Sequence, residues 1–170
     1  AIGQLCLFPH GIGEMHFANG HRDPNHPVGL LTPLSRAAPI LVAGPFHAFG
    51  AALTPVGWAA LTGLHAGDHR DRLLPAGSVL GPEIDALGER LLAAYRDQTM
   101  TGRECALAIG AYIEQQARPI NPRHLELIVT VGRWLGASFT RSSLRVLPWQ
   151  PPASSSSTLV VVSRVPWSGA

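Results

Sequence analysis

The spacing of hydrophobic residues changes near residue 54 and divides the chain into two parts. In the first part, short apolar pieces alternate with Gly, Pro, Asn and Asp, a pattern typical of the short strands of a sandwich or barrel. In the last piece, the two-residue period puts His47 and Phe49 on the same face as Leu53. Strands are predicted at residues 4–8, 14–18, 28–31, 40–43 and 46–53, with turns at 10–13 and 18–25.

After Pro55 the apolar residues recur with the 3.6-residue period of helices. Proline suits the first helical position, so Pro55 predicts the start of a short helix. Thr101 and Glu104 form a capping box, which predicts a helix directly after it. Three longer helices are therefore predicted, beginning at Pro82, after Thr101 and after Asn121.

These patterns predict an α+β fold. Residues 1–55 are expected to form a partial β-barrel or sandwich of cupin-like shape, and residues 55–137 a helical subdomain of three to four helices. Residues 138–170 are rich in Pro and Ser and are predicted to be an irregular tail. Within this tail, residues 158–162 are compatible with an edge strand that has no obvious partner.

The charge of the chain gives little support to a nucleic-acid surface. The net charge is +2, and all 13 basic residues are arginines. Residues 1–100 hold 6 Arg against 8 Asp and Glu, whereas residues 101–170 hold 7 against 3. We interpret this modest basic bias as incidental rather than as a DNA-binding patch.

The cysteines and the apolar runs favour a cytoplasmic protein. Cys6 and Cys105 lie far apart among apolar neighbours, which predicts buried free thiols in a reducing compartment. No apolar run reaches the roughly eighteen residues that a membrane span needs, and no signal-peptide pattern opens the chain. The sequence therefore predicts a cytoplasmic location and no membrane partner.

The histidines are the main candidates for metal chemistry. Imidazole is a common zinc ligand, but neighbouring Gly, Pro and Asn favour solvated turns, so no metal site is assigned. His65 and His69 have the spacing of the HExxH motif, yet no glutamate follows His65 and Gly67 weakens the required helix. The crowded N-terminal histidines are His10, His16, His21 and His26.

No motif for catalysis occurs in the sequence. A GxSxG nucleophile turn and a phosphate-binding loop are both missing. Thiol catalysis would need an activating base, which the sequence does not place beside either cysteine. The prediction is therefore no catalytic residue, no cofactor and no enzyme activity.

Several separated segments, in the same order, resemble the sensory half of AraC-type bacterial transcription regulators. The resemblance covers about residues 5–140, and Pro9 and Gly11 resemble the turn of an early hairpin in that family. The matching segments are residues 5–17, FGAALTP at 49–55, GWAAL at 57–61, DR at 71–72, LGP at 80–82, NPRHL at 121–125 and VGRWL at 131–135.

The resemblance implies a regulatory protein without an intact DNA-reading domain. Family members join a sensory and oligomerisation domain, here residues 1–137, to helix-turn-helix motifs that enter the major groove. After Phe139 the resemblance stops and the helical period is lost, which indicates truncation or a shifted reading frame. DNA binding is therefore expected of a full-length parent and not of this chain alone.

The resemblance also implies partners. A homodimer and a small-molecule effector are expected, and His47 and Phe49 are the candidate residues for lining the effector pocket. One alternative is a cupin-like metal-binding protein or enzyme that uses the N-terminal histidines. Another is a nonfunctional remnant of a regulator.

Overall fold

A computed structural model describes residues 3–134 and 159–162. A curled half-barrel sheet is followed by helices, so the predicted α+β class and partial barrel are confirmed. The strands are β1 (Gly3–His16), β2 (Arg22–Pro24), β3 (Val28–Leu31), β4 (Ile40–Leu53), β5 (Leu73–Pro75) and β6 (Leu159–Val162). The helices are α1 (Pro55–Thr62), α2 (Gly77–Leu80), α3 (Pro82–Arg96), α4 (Gly102–Gln116) and α5 (Pro122–Trp134).

The sheet is built around the long antiparallel ladder between β1 and β4. Its strand order is β5-β3-β1-β4-β6, and β2 pairs with the far end of β1. In what we call the inner half of the ladder, residues 3–7 pair with residues 49–53. In the outer half, residues 12–15 pair with residues 40–43, and the register shifts between the two halves.

The predicted turn at 10–13 is wrong, and so is the hairpin expected within residues 5–17. The structure has one continuous strand there, and Pro9 and Gly11 lie in its irregular middle. Both residues fit a β-bulge as well as a turn, because a bulge tolerates a missing N–H and a positive φ. Gly11 has φ of 85°, and a Cβ there would lie 2.6 Å from the Pro45 carbonyl oxygen.

The predicted break between the strands at 40–43 and 46–53 is also wrong. Gly44 has φ of 72°, and the Gly44-Pro45 pair disturbs the ladder without ending β4. After this irregularity the two-residue period holds, because Phe49 and Leu53 both enter the core beneath the helices.

The inner half is buried on the face toward the helices and half-buried on the other face. One face joins the helices in a core that includes Leu5, Leu30, Phe49, Trp58 and Ile84. On the other face of the sheet, half-buried Cys6 packs against a second, smaller cluster that extends into the outer half through Met15. Its members are Phe8, Met15, Phe17, Leu31, Ala48 and Leu73. The strands approach closely here, because a Cβ at Gly50 would collide with the backbone of β1 at the Leu5 carbonyl oxygen.

The predicted short helix at Pro55 is confirmed as α1. The Thr54 hydroxyl oxygen accepts a hydrogen bond from the Gly57 N–H at 3.0 Å, which caps the first turn. Gly63 ends the helix with φ of 67°, the left-handed conformation that favours glycine. Trp58 is buried, and its indole N–H donates to the Leu64 carbonyl at 3.0 Å.

The three longer helices are confirmed as α3, α4 and α5. Pro82 occupies the first turn of α3, and Thr101 and Glu104 form both bonds of the predicted capping box. The Asn121 side chain accepts from the Arg123 N–H at 3.0 Å at the start of α5. Local capping chemistry therefore determines where these helices begin.

Three short elements are absent from the prediction. The strand β2 lies within the predicted turn at 18–25, while β5 and α2 lie between the first two predicted helices. Elements of three or four residues carry too few positions for a periodic signal. Their hydrogen bonds come from tertiary neighbours, as when β5 pairs with β3.

The tail contains one described element. Residues 159–162 form β6, which pairs in parallel with residues 48–51 of β4, so the expectation of no partner is wrong. The other predicted features of the tail, and the domain boundary at residue 137, lie outside the described residues. Among the described residues, no helix combines the length and apolar character needed to cross a membrane.

Candidate ligand-binding site

A β-bulge brings two histidines opposite each other across the β1–β4 ladder. Leu7 pairs with Phe49, and the next pair is His10 with His47. Between these two pairs β1 therefore contains one residue more than β4. The extra residue lies beside Pro9, where a missing N–H costs no ladder hydrogen bond. The bulge therefore directs the His10 side chain toward the face on which the helices pack.

His10, His47, Phe49 and Tyr95 form what we call the histidine–tyrosine cluster. The two imidazole centroids are 5.2 Å apart, with their planes at 87°. The Tyr95 hydroxyl oxygen lies 3.0 Å from Nδ1 of His47. The Tyr95 ring centroid is 4.9 Å from that of Phe49 and 6.1 Å from that of His10. These separations are typical of favourable aromatic pairs, so the four rings orient one another.

Three structural elements meet at this cluster. Tyr95 lies in the last turn of α3, and the neighbouring Arg96 donates through Nε to the Pro9 carbonyl at 3.1 Å. The start of α4 packs closely, because a Cβ at Gly102 would lie 3.3 Å from Cδ1 of Phe49. A molecule bound here would contact the sheet and the junction between two helices at the same time.

The cluster combines the faces of aromatic rings with a few polar atoms. In the neutral tautomer of His47 that carries its proton on Nε2, Nδ1 accepts from the Tyr95 hydroxyl, and Nε2–H is a donor with no partner among the described residues. Phe49 is buried, Tyr95 and His47 are half-buried, and His10 is exposed. Sites for small organic ligands likewise combine aromatic side chains with a few placed polar groups.

The histidines do not converge into a metal site. Within residues 3–134 and 159–162, no three His, Cys, Asp or Glu side chains are placed to hold a metal ion. His16 instead contacts Glu14, with Nε2 2.6 Å from Oε1. His65 lies in an exposed turn rather than on a helix, and its Nδ1 is 3.3 Å from Oδ2 of Asp68.

A second polar site, the Asp23–Arg72 lock, connects β2 to β5. The buried Asp23 carboxylate accepts from Nε and Nη2 of Arg72 at 2.7 and 3.0 Å, and from the Leu73 N–H at 2.8 Å. Burial by itself raises the pKa of Asp23, but these hydrogen bonds and the Arg72 charge outweigh it, so the pKa lies below its ordinary value.

The residue before Arg72 strengthens the same region. Asp71 has φ of 59°, and its carboxylate accepts from the Ser35 N–H at 2.7 Å and from the Ser35 hydroxyl at 2.6 Å. These two bonds from Ser35 hold the pKa of Asp71 below its ordinary value. Thr32 completes the network, because its N–H donates to the Arg72 carbonyl at 2.9 Å.

The lock is a structural feature because its polar groups are satisfied. Among the described residues, every buried side-chain nitrogen or oxygen has a hydrogen-bond partner. The Asp71-Arg72 pair, which contributes to the family resemblance, therefore ties β5 and the loop after β3 to β2. The histidine–tyrosine cluster differs, because the His10 side chain is exposed and has no hydrogen-bond partner within residues 3–134 and 159–162.

Both cysteines are free thiols in apolar surroundings. Cys105 is buried, as predicted, and its Sγ lies 3.6 Å from the Leu91 carbonyl oxygen. Cys6 is half-buried rather than fully buried as predicted, and desolvation raises its pKa to about 12. Burial also raises the pKa of Cys105. Raised pKa values disfavour the thiolate, the form that acts as a nucleophile.

Sequence analysis identified half of the histidine–tyrosine cluster. His47 and Phe49 were the predicted lining residues, and the structure brings them together beside Tyr95. Their role in lining an effector pocket remains a prediction. The sequence does not indicate His10, because its segment predicts a turn. It does not indicate Tyr95, because the 3.6-residue period places Tyr95 in the apolar stripe of α3 with Ile84, Leu87 and Leu91. A half-buried tyrosine hydroxyl requires a partner, but the sequence does not say which one.

Comparison of the chain with protein families, with curated proteins and with solved structures gave no match. The AraC-type resemblance therefore remains a prediction from sequence.

Proposed function

We propose that the chain is the ligand-sensing and oligomerisation portion of an AraC-like transcription regulator. In this proposal the histidine–tyrosine cluster receives a small-molecule effector. The half-barrel followed by helices supports it, since this is the architecture that the resemblance implies. The observation that carries it is the Tyr95–His47 contact, which links the end of α3 to β4 beside the exposed His10.

The cluster favours an effector with a flat ring and a hydrogen-bond acceptor. The ligand ring would pack against the imidazole and phenol rings. Its acceptor atom would accept a hydrogen bond from the Nε2–H of His47. The site offers two imidazoles and one phenol, groups that recognise a ligand through hydrogen bonds and ring contacts. Recognition is therefore the chemistry we propose, not turnover.

Ligand binding would act through the helices. Tyr95 and the start of α4 both contact Phe49, so a ligand that displaces Tyr95 also changes how these helices rest on the sheet. An effect on oligomerisation requires only that the ligand bind one arrangement more tightly than the other. We place this activity in the bacterial cytoplasm, where free thiols stay reduced.

A titration followed by two-dimensional NMR tests the binding site. Benzoate, benzamide and phenol serve as probes, since they share a ring but differ in their polar group. We expect saturable shifts at His10, Phe49 and Tyr95, and their loss in the His47→Ala variant. His21→Ala, at an exposed histidine elsewhere, is the matched control and should bind as the unmodified chain does. Saturable binding that survives His47→Ala unchanged would contradict the site.

A DNA titration at two salt concentrations tests the proposal that this chain lacks an intact DNA-reading domain. Affinity that arises from phosphate contacts falls steeply as salt rises. We expect only weak binding by this chain, without preference for sequence. Tight and sequence-selective binding by the chain alone would refute the proposal that DNA is read only by a full-length parent.

A further inference from the structure

The outer half of β4 exposes an unusual run of apolar residues. The exposed fractions of the side chains are 38% for Ile40, 57% for Leu41 and 47% for Val42. Ile12, on the neighbouring strand, is 75% exposed. Residues 37–46 contain no charged side chain. Natural sheets commonly protect such an edge with charges, and this edge lacks them.

Among the described residues, no strand pairs with the outer side of residues 40–43. Among the described strands, β6 covers only residues 48–51 of β4. The Gly13 N–H and carbonyl both bond to Asn25, at 2.8 and 2.7 Å, on the β2 side of β1. Gly13 and Val42 therefore form a non-hydrogen-bonded pair, in which the Val42 N–H and C=O point away from β1.

The hydrogen bonds of the neighbouring residues fit this alternation. The Pro39 carbonyl accepts from the His16 N–H at 3.0 Å, so Pro39 faces β1. Ile40, the next residue, consequently faces outward like Val42. The edge thus presents both donors and acceptors at alternate residues, which is what a further antiparallel strand requires.

We propose that a second copy of this chain pairs with this edge in antiparallel orientation, with the twofold axis at Val42. An antiparallel strand pair is self-complementary under a twofold axis, as a symmetric dimer requires. The absence of charge in residues 37–46 removes the like-charge repulsion that two identical edges would otherwise meet. In this register Leu41 of each copy lies opposite Ala43 of the other, and the regular pairing ends before Gly44, whose φ is 72°.

This pairing is compatible with the rest of the sheet. The two Val42 residues exchange N–H and C=O groups, and Ile40 and Val42 bury their side chains on one face of the joined sheets. The segment of β4 that pairs with β6 begins at Ala48 and stays outside the contact. The inference deepens the proposed function by locating its oligomerisation surface, but it rests on the edge geometry alone.

Sedimentation velocity of the full chain over a roughly hundredfold concentration range tests the dimer. Val42→Pro removes an outward N–H without removing a bond to β1, and Val42→Lys adds a charge to the edge. We expect a dimer for the unmodified chain, and a rise in its Kd of at least about tenfold in each variant. Leu107→Lys, at an equally exposed leucine on α4, is the control and should leave the Kd unchanged.

Two outcomes would overturn the proposal. One is an unmodified chain that stays monomeric over the whole range, and the other is a folded Val42→Lys variant with unchanged Kd. Circular dichroism identifies variants that fail to fold, and Val42→Lys decides the question if Val42→Pro does not fold. If the dimer proposal is contradicted, the NMR titration at His47 can still support the ligand-binding proposal. The two proposals are therefore tested independently.

Discussion

The inner and outer halves of the β1–β4 ladder are stabilised in different ways. The inner half lies between two hydrophobic clusters, and its backbones approach so closely that a Cβ at Gly50 has no room. The outer half exposes Ile12, Leu41 and Val42 and is joined to the rest through β2 and the Asp23–Arg72 lock. One pair of strands thus combines a rigid base with an open edge.

The difference shows why the candidate site lies where it does. The closely packed inner half leaves little space for a ligand. The exposed edge of the outer half has no side chains that could enclose one. The histidine–tyrosine cluster lies at the register shift between the halves, where buried Phe49 gives way to exposed His10. Bulges often lie beside functional sites because they re-aim side chains at such a boundary.

Two glycine substitutions test most directly whether the inner half of the ladder is packed more tightly than the outer half. Gly50→Ala forces a Cβ into the backbone of β1, and we expect a loss of more than about 3 kcal/mol in the free energy of unfolding. Gly13→Ala, in the outer half, meets only movable side-chain atoms of Phe46 and Ile40, the nearest at 3.0 Å. Its cost should stay below about 1 kcal/mol. Equal losses in urea titrations would refute the contrast.

The second largest expected effect on stability is the weakening of the Asp23–Arg72 lock by acid. The pKa values of Asp23 and Asp71 lie below their ordinary values in the folded chain, so the unfolded chain takes up protons first as pH falls. Their stabilisation is complete above about pH 5 and is lost as the pH falls through the folded-state pKa values. Urea titrations between pH 7 and pH 2.5, roughly, measure this loss.

Asp23→Asn separates the lock from other acid effects. The variant should lose about 2 kcal/mol at neutral pH, because Arg72 no longer meets a buried carboxylate, and its stability should depend less on acid. Asp68→Asn, at an exposed aspartate, is the control and should keep the pH profile of the unmodified chain. An unchanged profile in Asp23→Asn would show that the lock is not the acid-sensitive element.

Tyr95→Phe should have the smallest effect on stability. The ring and its packing on Phe49 remain, and only the hydroxyl contact to His47 is lost, so the cost should be about 1 kcal/mol or less. The ¹⁵N shift of His47 Nδ1 should nevertheless change. Tyr112→Phe, at the half-buried tyrosine of α4, is the control and should leave that shift unchanged. A large loss of stability would show that the cluster is structural, like the lock.

The helices could be predicted from sequence because their signals are local. Pro82 in the first turn, the capping box of Thr101 and Glu104, and Gly63 at the end of α1 act within one turn of backbone. Alternation along β4 likewise predicted that Phe49 shares a face with Leu53. Such signals need no knowledge of distant residues.

The sequence alone determined the α+β class, the starts of the main helices and the face of β4 that carries His47 and Phe49. Only the tertiary structure decided that Pro9 and Gly11 form a bulge, that Asp23 meets Arg72 and that Tyr95 reaches His47. These contacts join residues that are far apart in the chain, and periodicity reports which face a residue occupies but not which residue it meets there.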